Sequence, residues 1–356
     1  MACVCFVIPG DPETRTGGYH YDRQIMNGLR ERGLDVRLTS LSADFPFPNL
    51  EALARAEETI SRLPSGEPVV IDGLAFGAFS ERLASLLAQG RRLIALVHHP
   101  LARETGLTRT QRERLHFSEQ QALAFADHVV VTGPATAREL HSDYQVPEPR
   151  LQVILPGTEH QKPASGGKGG CCNLLAVATL TPRKNQLQLL EALALLQPVD
   201  NWKLTLAGSD QRDKAYASEV LKGVRNLGIE DRVVVTGELD PVELDRCYQE
   251  ADVFVLPSLM EGYGMVFAEA LARGLPIVAP KSAGIVETLP DNCGLFVEPG
   301  DLADLRLALG RILSDEGYVS SLRRGALEAR ETLPRWDKAI DRFLLLLEPN
   351  QDRAEK

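Results

Sequence analysis

Apolar residues along this chain fall into short runs separated by longer amphipathic stretches. The runs "VCFVIPG", "VRLTSL", "VVIDG", "RLIALVHH", "HVVVTG" and "LQVILPG" read as parallel strands buried on both faces. Between them, Tyr19 to Arg32, Ala75 to Gln89, Thr110 to Ala126 and Pro134 to Tyr144 are expected helices. Pro134 directly after Gly133 suits a first helical turn, where its missing N–H breaks no bond. The alternation lapses at "QKPASGGKGG", Gln161 to Gly170, a composition that predicts a flexible linker. It resumes with "NLLAVATL", "KLTLAG", "RVVVTG", "VFVLPS", "PIVAP" and "GLFVEP". Helices are expected near residues 184–196, 212–227, 240–250, 265–273, 283–289 and 302–313, with more from about Glu316 to a final "RWDKAIDRFLLLLEP".

The pattern predicts two α/β domains, each a parallel sheet covered by helices: residues 1–160, a linker over 161–171, and 172–335. Open parallel sheets bind ligands beyond the carboxyl ends of their strands. Candidate residues should therefore follow strands, and with two such domains the expected site is the cleft between them.

Composition narrows the classes. The chain has 356 residues, 44% hydrophobic and 25% charged, as in a globular protein of two ordinary domains. A net charge of −10 argues against wholesale nucleic-acid or membrane-surface binding, while a local basic patch could survive it. The cysteines, Cys3, Cys5, Cys171, Cys172, Cys247 and Cys293, lack metal-ligand spacing and are expected to be reduced. "MACVCFVIPGDPETRTGG" has no basic n-region, and no apolar run approaches a membrane span. A cytoplasmic protein is expected, with any membrane contact peripheral and at the inner face.

The richest stretch is "PSLMEGYGMVFAEALARGLPIVAP", Pro257 to Pro280. Glu261 and Glu269 are eight residues apart, roughly 80° on a helix, so they would not share a helical face. Pro257 ends the strand, and Gly262 and Gly264 bracket Tyr263 in a turn. Met265 to Arg273 then reads as a helix, with Val266, Phe267, Ala270 and Leu271 on one face and Gly274 as C-cap. Glu261 therefore belongs to the loop and Glu269 to the helix, on either side of a helix N-terminus suited to phosphate. The spacing alone is equally that of two unrelated surface charges; the glycines and the preceding strand favour the site.

In "ATLTPRKNQLQLLEAL", Arg183 and Lys184 stand where a helix begins, a place its dipole makes unfavourable for cations unless an anion lies between. Two solvated charges are the plainer reading. "AGSD", Ala207 to Asp210, offers a small-residue turn at Gly208 that a ligand could approach. In the first domain, Gly17 and Gly18 of "TRTGGYHYDRQI" form a candidate ligand loop or a simple turn. His98 and His99 close a strand, and alternation lets one of them face a ligand while the other packs. Six arginines (Arg91, Arg92, Arg103, Arg109, Arg112, Arg114) oppose Glu104 and Glu113 between Arg91 and His116. They make either a dock for an anionic acceptor or a solvated helix face.

Motifs for other chemistries are missing: no G-x-S-x-G, no G-x4-G-K-[ST], no H-E-x-x-H, no G-x-G-x-x-G after the first strand, and no Asp-x-Asp pair to hold a metal on a diphosphate. Arg183, Lys184 and backbone N–H groups are the visible phosphate-neutralising groups, which points to diphosphate binding without a metal.

Together, "LPSLMEGYGMVFAEALARGLPIVAP", "TLTPRKN", "AGSD" and "TGGYHYDRQI" resemble the family 4 glycosyltransferases of the GT-B fold. The resemblance covers nearly the whole chain and is strongest from Cys172 to Pro299. It implies two Rossmann-like domains facing across a cleft, with 336–356 as a terminal helix returning to the first. It also implies transfer of a sugar from a nucleotide-diphosphate donor, UDP- or GDP-sugar, with retention of configuration and without a metal or other cofactor. Arg183 and Lys184 would neutralise the diphosphate as it leaves. Glu261 would hold donor-sugar hydroxyls, Glu269 the ribose, and Gly262, Tyr263, Gly264, Met265 and Val266 would line the phosphates. Gly17, Gly18 and Gly208 would lie against the donor, and His98 would reach the donor sugar or its neighbour. The acceptor is left open among glycan, small molecule, lipid and RNA. Alternatives are a same-fold nucleotide-sugar epimerase and a non-catalytic nucleotide-sugar-binding subunit. A phosphorylase is disfavoured by length and by the lack of a suitable pyridoxal lysine.

Overall fold

The computed structural model describes residues 3–167, 170–196, 199 and 201–348. The chain divides into two compact units: Met1–Gly157 with Pro334–Lys356, and Thr158–Leu333.

In the first unit, strands β1 (Cys3–Pro9), β2 (Asp35–Leu41), β3 (Pro68–Asp72), β4 (Arg92–Val97), β5 (His128–Val131) and β6 (Leu151–Val153) form a parallel sheet in the order β2-β1-β3-β4-β5-β6. In the second, β7 (Cys172–Val177), β8 (Trp202–Ala207), β9 (Val233–Gly237), β10 (Val253–Val255), β11 (Ile277–Pro280) and β12 (Gly294–Val297) take the order β12-β11-β10-β7-β8-β9, again parallel. That is the doubly wound order of a Rossmann fold. The central strands follow apolar runs because helices cover both of their faces, whereas the edge strand β2 leaves several positions exposed. Each unit closes over its own cluster of buried side chains.

The helix Trp336–Leu347 belongs to the first unit and lies along the helix Gly17–Glu31. Phe343 stacks on Phe6 at 6.1 Å between ring centroids, and Trp336 meets Tyr21 edge-on at 5.7 Å. Arg32 pairs with Asp341 at 2.7 Å.

Three local expectations change. The helix Leu50–Ser61 has no counterpart in the apolar pattern, because its buried stripe is Ala52, Ala56 and Ile60, mostly alanine. The helix expected over 75–89 is two pieces, Gly73–Phe76 and Glu81–Ala88. Gly77 closes the first piece, at a point where a Cβ would lie 2.8 Å from Leu101 Cδ1, and Ser80 caps the second, accepting from Leu83 N. The expected flexible linker is instead an extended strap on the second unit through Gly167. Ala164 N donates to Arg273 O (2.8 Å), Ser165 N to Gln249 O (3.0 Å) and Gly167 N to Asp252 Oδ1 (3.0 Å). Its small residues allow that close approach, and Ala164 is buried; Lys168 and Gly169 lie outside the described residues.

Candidate functional site

In the second sheet β7 and β10 are neighbours, and the winding proceeds outward from them in opposite directions. Loops leaving their carboxyl ends diverge there and leave a crevice, the usual ligand position in such sheets. Arg183 and Lys184 follow β7, in the short 3-10 turn Pro182–Lys184. Glu261 follows β10.

The two loops are tied together. Leu259 N donates to Arg183 O (2.8 Å), Arg183 Nη1 to Met260 O (3.2 Å), and Asn185 Nδ2 to Pro257 O (3.2 Å). Lys184 Nζ lies 2.6 Å from Glu261 Oε1, and Arg183 Nη1 lies 3.7 Å from Glu261 Oε2. Burial pushes the Glu261 carboxyl up, but the charges of Lys184 and Arg183 outweigh it and hold the group below its ordinary value. The helix Gln186–Ala194 begins immediately afterwards. The anion that makes cations acceptable at that point is, in this structure, Glu261 itself.

Glu269 is the fifth residue of the helix Met265–Ala272, whose N-cap Gly264 has φ +78°. A side chain at Gly264 would be strained in that conformation and would come within 2.5 Å of Ile285 Cδ1. The first N–H groups of this helix, from Met265 and Val266, have no partner within the helix. Glu269 Oε2 accepts from Tyr248 Oη at 2.9 Å. Burial raises the Glu269 carboxyl against the opposing effects of Tyr248 and Arg273. Arg273 sits over the Tyr248 ring at 4.4 Å and pairs with Asp245 at 2.8 Å. The loop and helix thus separate Glu261 from Glu269. Tyr263 is only 4% exposed and packs its ring into the unit.

The first unit gathers a second polar cluster. Gly17 and Gly18 are not in a loop: they open the helix Gly17–Glu31, capped by the Thr16 side chain, which accepts from Tyr19 N. A Cβ at Gly18 would lie 3.0 Å from His98 Cδ2, so this glycine admits the imidazole. His98 Nε2 is 3.2 Å from Asp22 Oδ1 and 4.0 Å from Asp72 Oδ2. Burial lowers the His98 imidazole, but the two carboxylates outweigh it and raise the group above its ordinary value. Burial and the neighbouring Asp22 raise the Asp72 carboxyl. His99 turns instead to Glu104, at 3.4 Å. The structure therefore separates the histidine pair.

Two candidates change meaning. Gly208 has φ +148°, and a Cβ there would be 2.1 Å from Ala178 O. It makes room for the chain's own backbone after β7, whereas the sequence suggested room for a ligand. The arginine patch is not one surface. Arg91 and Arg92 stand at the amino end of β4, while the other four follow its carboxyl end, about 20 Å away along a strand of that length. Arg91 donates to Pro64 O (3.1 Å) and Leu86 O (3.1 Å), and Arg92 donates to Glu348 O. Arg103 pairs with Glu139 and Arg109 with Glu113. Arg112 and Arg114 lie exposed on the helix Arg109–Leu123, so the solvated face is the reading that fits.

Sequence reasoning missed Asp22, Asp72, Tyr248 and Gly284. Asp72 carried a signal, a carboxylate closing an apolar run on the ligand edge of a sheet. Asp22 carried a fainter one, an acidic residue on a helix face otherwise buried through Tyr21, Ile25, Met26 and Leu29. A Cβ at Gly284 would lie 2.4 Å from Gly262 O and 2.5 Å from Glu261 O, a contact no local pattern announces.

The chain is similar to known proteins over both units. The family model described as glycosyl transferases group 1 matches residues 159–330, and that described as glycosyltransferase family 4 matches residues 20–162. An MMP alpha-(1->4)-mannosyltransferase of Mycolicibacterium hassiacum is 29% identical over 336 residues, covering 87% of this chain and 79% of the relative. A D-inositol 3-phosphate glycosyltransferase of Acidothermus cellulolyticus is 26% identical over 390 residues, covering 95% and 86%. Among solved structures, sucrose-phosphate synthase of Thermosynechococcus elongatus superposes with a TM-score of 0.82 at 22% identity, over 97% of this chain and 98% of that one. Anabaena HepE, in complex with UDP and glucose, gives 0.75 at 17% identity over 96% and 99%. No helix among the described residues is long and apolar enough to cross a membrane.

Proposed function

This chain belongs to the family 4 glycosyltransferases, with the GT-B fold and a nucleotide-sugar donor, and on that premise we propose a hexosyl transfer from a UDP- or GDP-sugar that retains configuration and needs no metal. The observation that carries this reading is the pairing of Lys184 and Arg183 with Glu261 at the β7/β10 switch point.

In the transfer, the bond from the sugar's anomeric carbon to the diphosphate breaks and a bond to an acceptor hydroxyl oxygen forms on the same face. The hydroxyl proton leaves with the diphosphate. Negative charge grows on the departing oxygens, and two fixed cations beside them stabilise that state more than the ground state. Arg183 and Lys184 take this role. Glu261, which pairs with both cations, hands them to the diphosphate and turns to the sugar hydroxyls. Glu269 Oε1 takes the ribose, since Oε2 is engaged by Tyr248. Gly262, Gly264, Met265 and Val266 line the phosphates with backbone, and Tyr263 contributes through its main chain. His98 meets the donor sugar or its neighbour.

A donor panel of UDP-, GDP- and ADP-hexoses tests the reading, with nucleotide release measured with and without EDTA. The relatives' names make a phosphorylated polyol the first acceptor to supply. Release with one donor, unchanged by EDTA and giving a product of the donor's own anomeric configuration by NMR, is the expected result. Loss of activity with EDTA, or an inverted product, would overturn the mechanism.

A further inference from the structure

The first sheet has a switch point of its own, where β1 and β3 are neighbours and β2 lies outside β1. Three polar side chains meet near it: Asp22 from the helix after β1, Asp72 from the end of β3, and His98 from the end of β4. Their ligating atoms lie within 4.8 Å of one another. Nothing in the proposed transfer uses the two carboxylates. Asp22 is 1% exposed and Asp72 4%, and charges are buried so completely only when something holds them.

The contacts are directional. Asp72 Oδ1 accepts from Leu74 N at 2.6 Å, which fixes that carboxyl group against the turn after β3. Asp22 Oδ1 faces His98 Nε2 at 3.2 Å, and Asp22 Oδ2 has no hydrogen-bond partner among the described residues. The ring is held on its other sides by the bare backbone of Gly18 and by Tyr21, which meets it edge-on at 5.6 Å. Tyr21 is itself anchored, donating to Ile154 O at 3.1 Å. Both carboxylates approach the same ring nitrogen. The His98 side chain keeps 20% of its surface exposed.

We infer that Asp22 is a positioning residue that clamps Nε2–H of His98, with Asp72 behind it, so that His98 meets its ligand through Nδ1. Asp22 and Asp72 are the charged groups that act on the ring among the described residues, and between them they favour a doubly protonated imidazole. Such a ring offers one outward N–H donor in a set direction, which selects an oxygen acceptor: a sugar hydroxyl or a phosphate oxygen. The inference rests on the proposed role of His98 in transfer, and it names the atom and the residues that prepare it.

The test is a 15N-histidine NMR spectrum of the full chain, assigned with His98→Gln, together with pH profiles of transfer for wild type, Asp22→Asn and Asp72→Asn. In the wild type both His98 nitrogens should be protonated below the ring's titration, and Nε2 should keep its proton above it. Asp22→Asn should release the ring to its neutral form at lower pH and move the alkaline limb of kcat the same way. It should also lower kcat by on the order of ten- to a hundredfold, the cost of a misplaced group, while donor KM stays within about threefold. A merely structural Asp22 would lower activity equally at every pH and leave the ring's titration in place, which overturns the inference. An unprotonated Nε2 in the wild type overturns it without any variant, so a failure of Asp22→Asn to fold does not protect it. Selective broadening of His98 by micromolar Mn2+ would show a cation site instead. If His98→Gln transfers normally while the clamped ring is seen, the role of His98 in transfer fails and the clamp stands. If His98→Gln is inactive while Asp22→Asn keeps the wild-type profile, the clamp fails.

Discussion

Lys184 Nζ and Glu261 Oε1 are 2.6 Å apart, although 77 residues separate them in the chain. Both side chains are largely buried, at 15% and 6% exposure. A buried pair is worth little against an apolar substitute, yet removing one partner strands the other. Lys184→Ala should cost about 3 kcal/mol or more of stability. The double variant Lys184→Ala, Glu261→Gln should recover part of that loss, because the buried carboxylate left with Arg183 alone is gone. Urea unfolding of wild type, Lys184→Ala, Glu261→Gln and the double variant closes the cycle; strictly additive losses would deny the coupling. Activity should vanish in every variant.

Glu269 bears on donor affinity through Tyr248. Tyr248→Phe removes the hydroxyl that occupies Oε2, so the carboxylate loses its set orientation toward a ribose. Donor KM should rise about tenfold, with kcat within about threefold. A donor lacking the ribose hydroxyls should show no difference between the variant and wild type. Initial-rate kinetics with both donors decide this.

Gly284 faces the backbone carbonyls of Glu261 and Gly262. Gly284→Ala forces that loop to move, since the clash is with main chain and no side chain can swing aside. Stability should fall by about 1–3 kcal/mol, while donor turnover should fall by on the order of a hundredfold. Thermal unfolding and kinetics measured on the same preparation separate the two effects. Near-normal turnover would show that the loop's position is not critical.

Glu119 is buried, with Oε2 accepting from Leu101 N at 2.9 Å on the segment that follows the histidine pair. Burial pushes its carboxyl from 4.5 up to about 8. The folded state therefore keeps a proton that the unfolded chain gives up above pH 4.5, and stability drains away as pH rises from there to about 8. Glu119→Gln keeps an acceptor for Leu101 and removes the titration. Its advantage over wild type should be larger at pH 8 than at pH 5, by at least about 2–4 °C in Tm. A constant difference across that window would refute the assignment.

Much of the fold was legible because its cause is local. Twelve apolar runs became strands, since a strand covered on both faces must be apolar along its length. The split of Glu261 onto a loop and Glu269 onto a helix followed from Pro257, Gly262 and Gly264, whose backbone preferences act within a few residues. The helix Leu50–Ser61 escaped notice because alanines make a weak stripe. At Gly208 the approach of Ala178 O was not legible, because a glycine signals close approach without saying what approaches.

Pattern and composition by themselves determined the α/β class, the strand positions and the edge of each sheet where chemistry would sit, because hydrophobic periodicity and turn chemistry are properties of neighbouring residues. Tertiary structure decided which distant groups meet there. Strand order brought the β7 and β10 loops together and so joined Lys184 to Glu261. The order β1-β3-β4, with the helix that follows β1, placed Asp22 and Asp72 on one nitrogen of His98. The length of β4 parted arginines that look contiguous in the chain. Contacts of that kind depend on crossovers between elements, and no window along the sequence contains them.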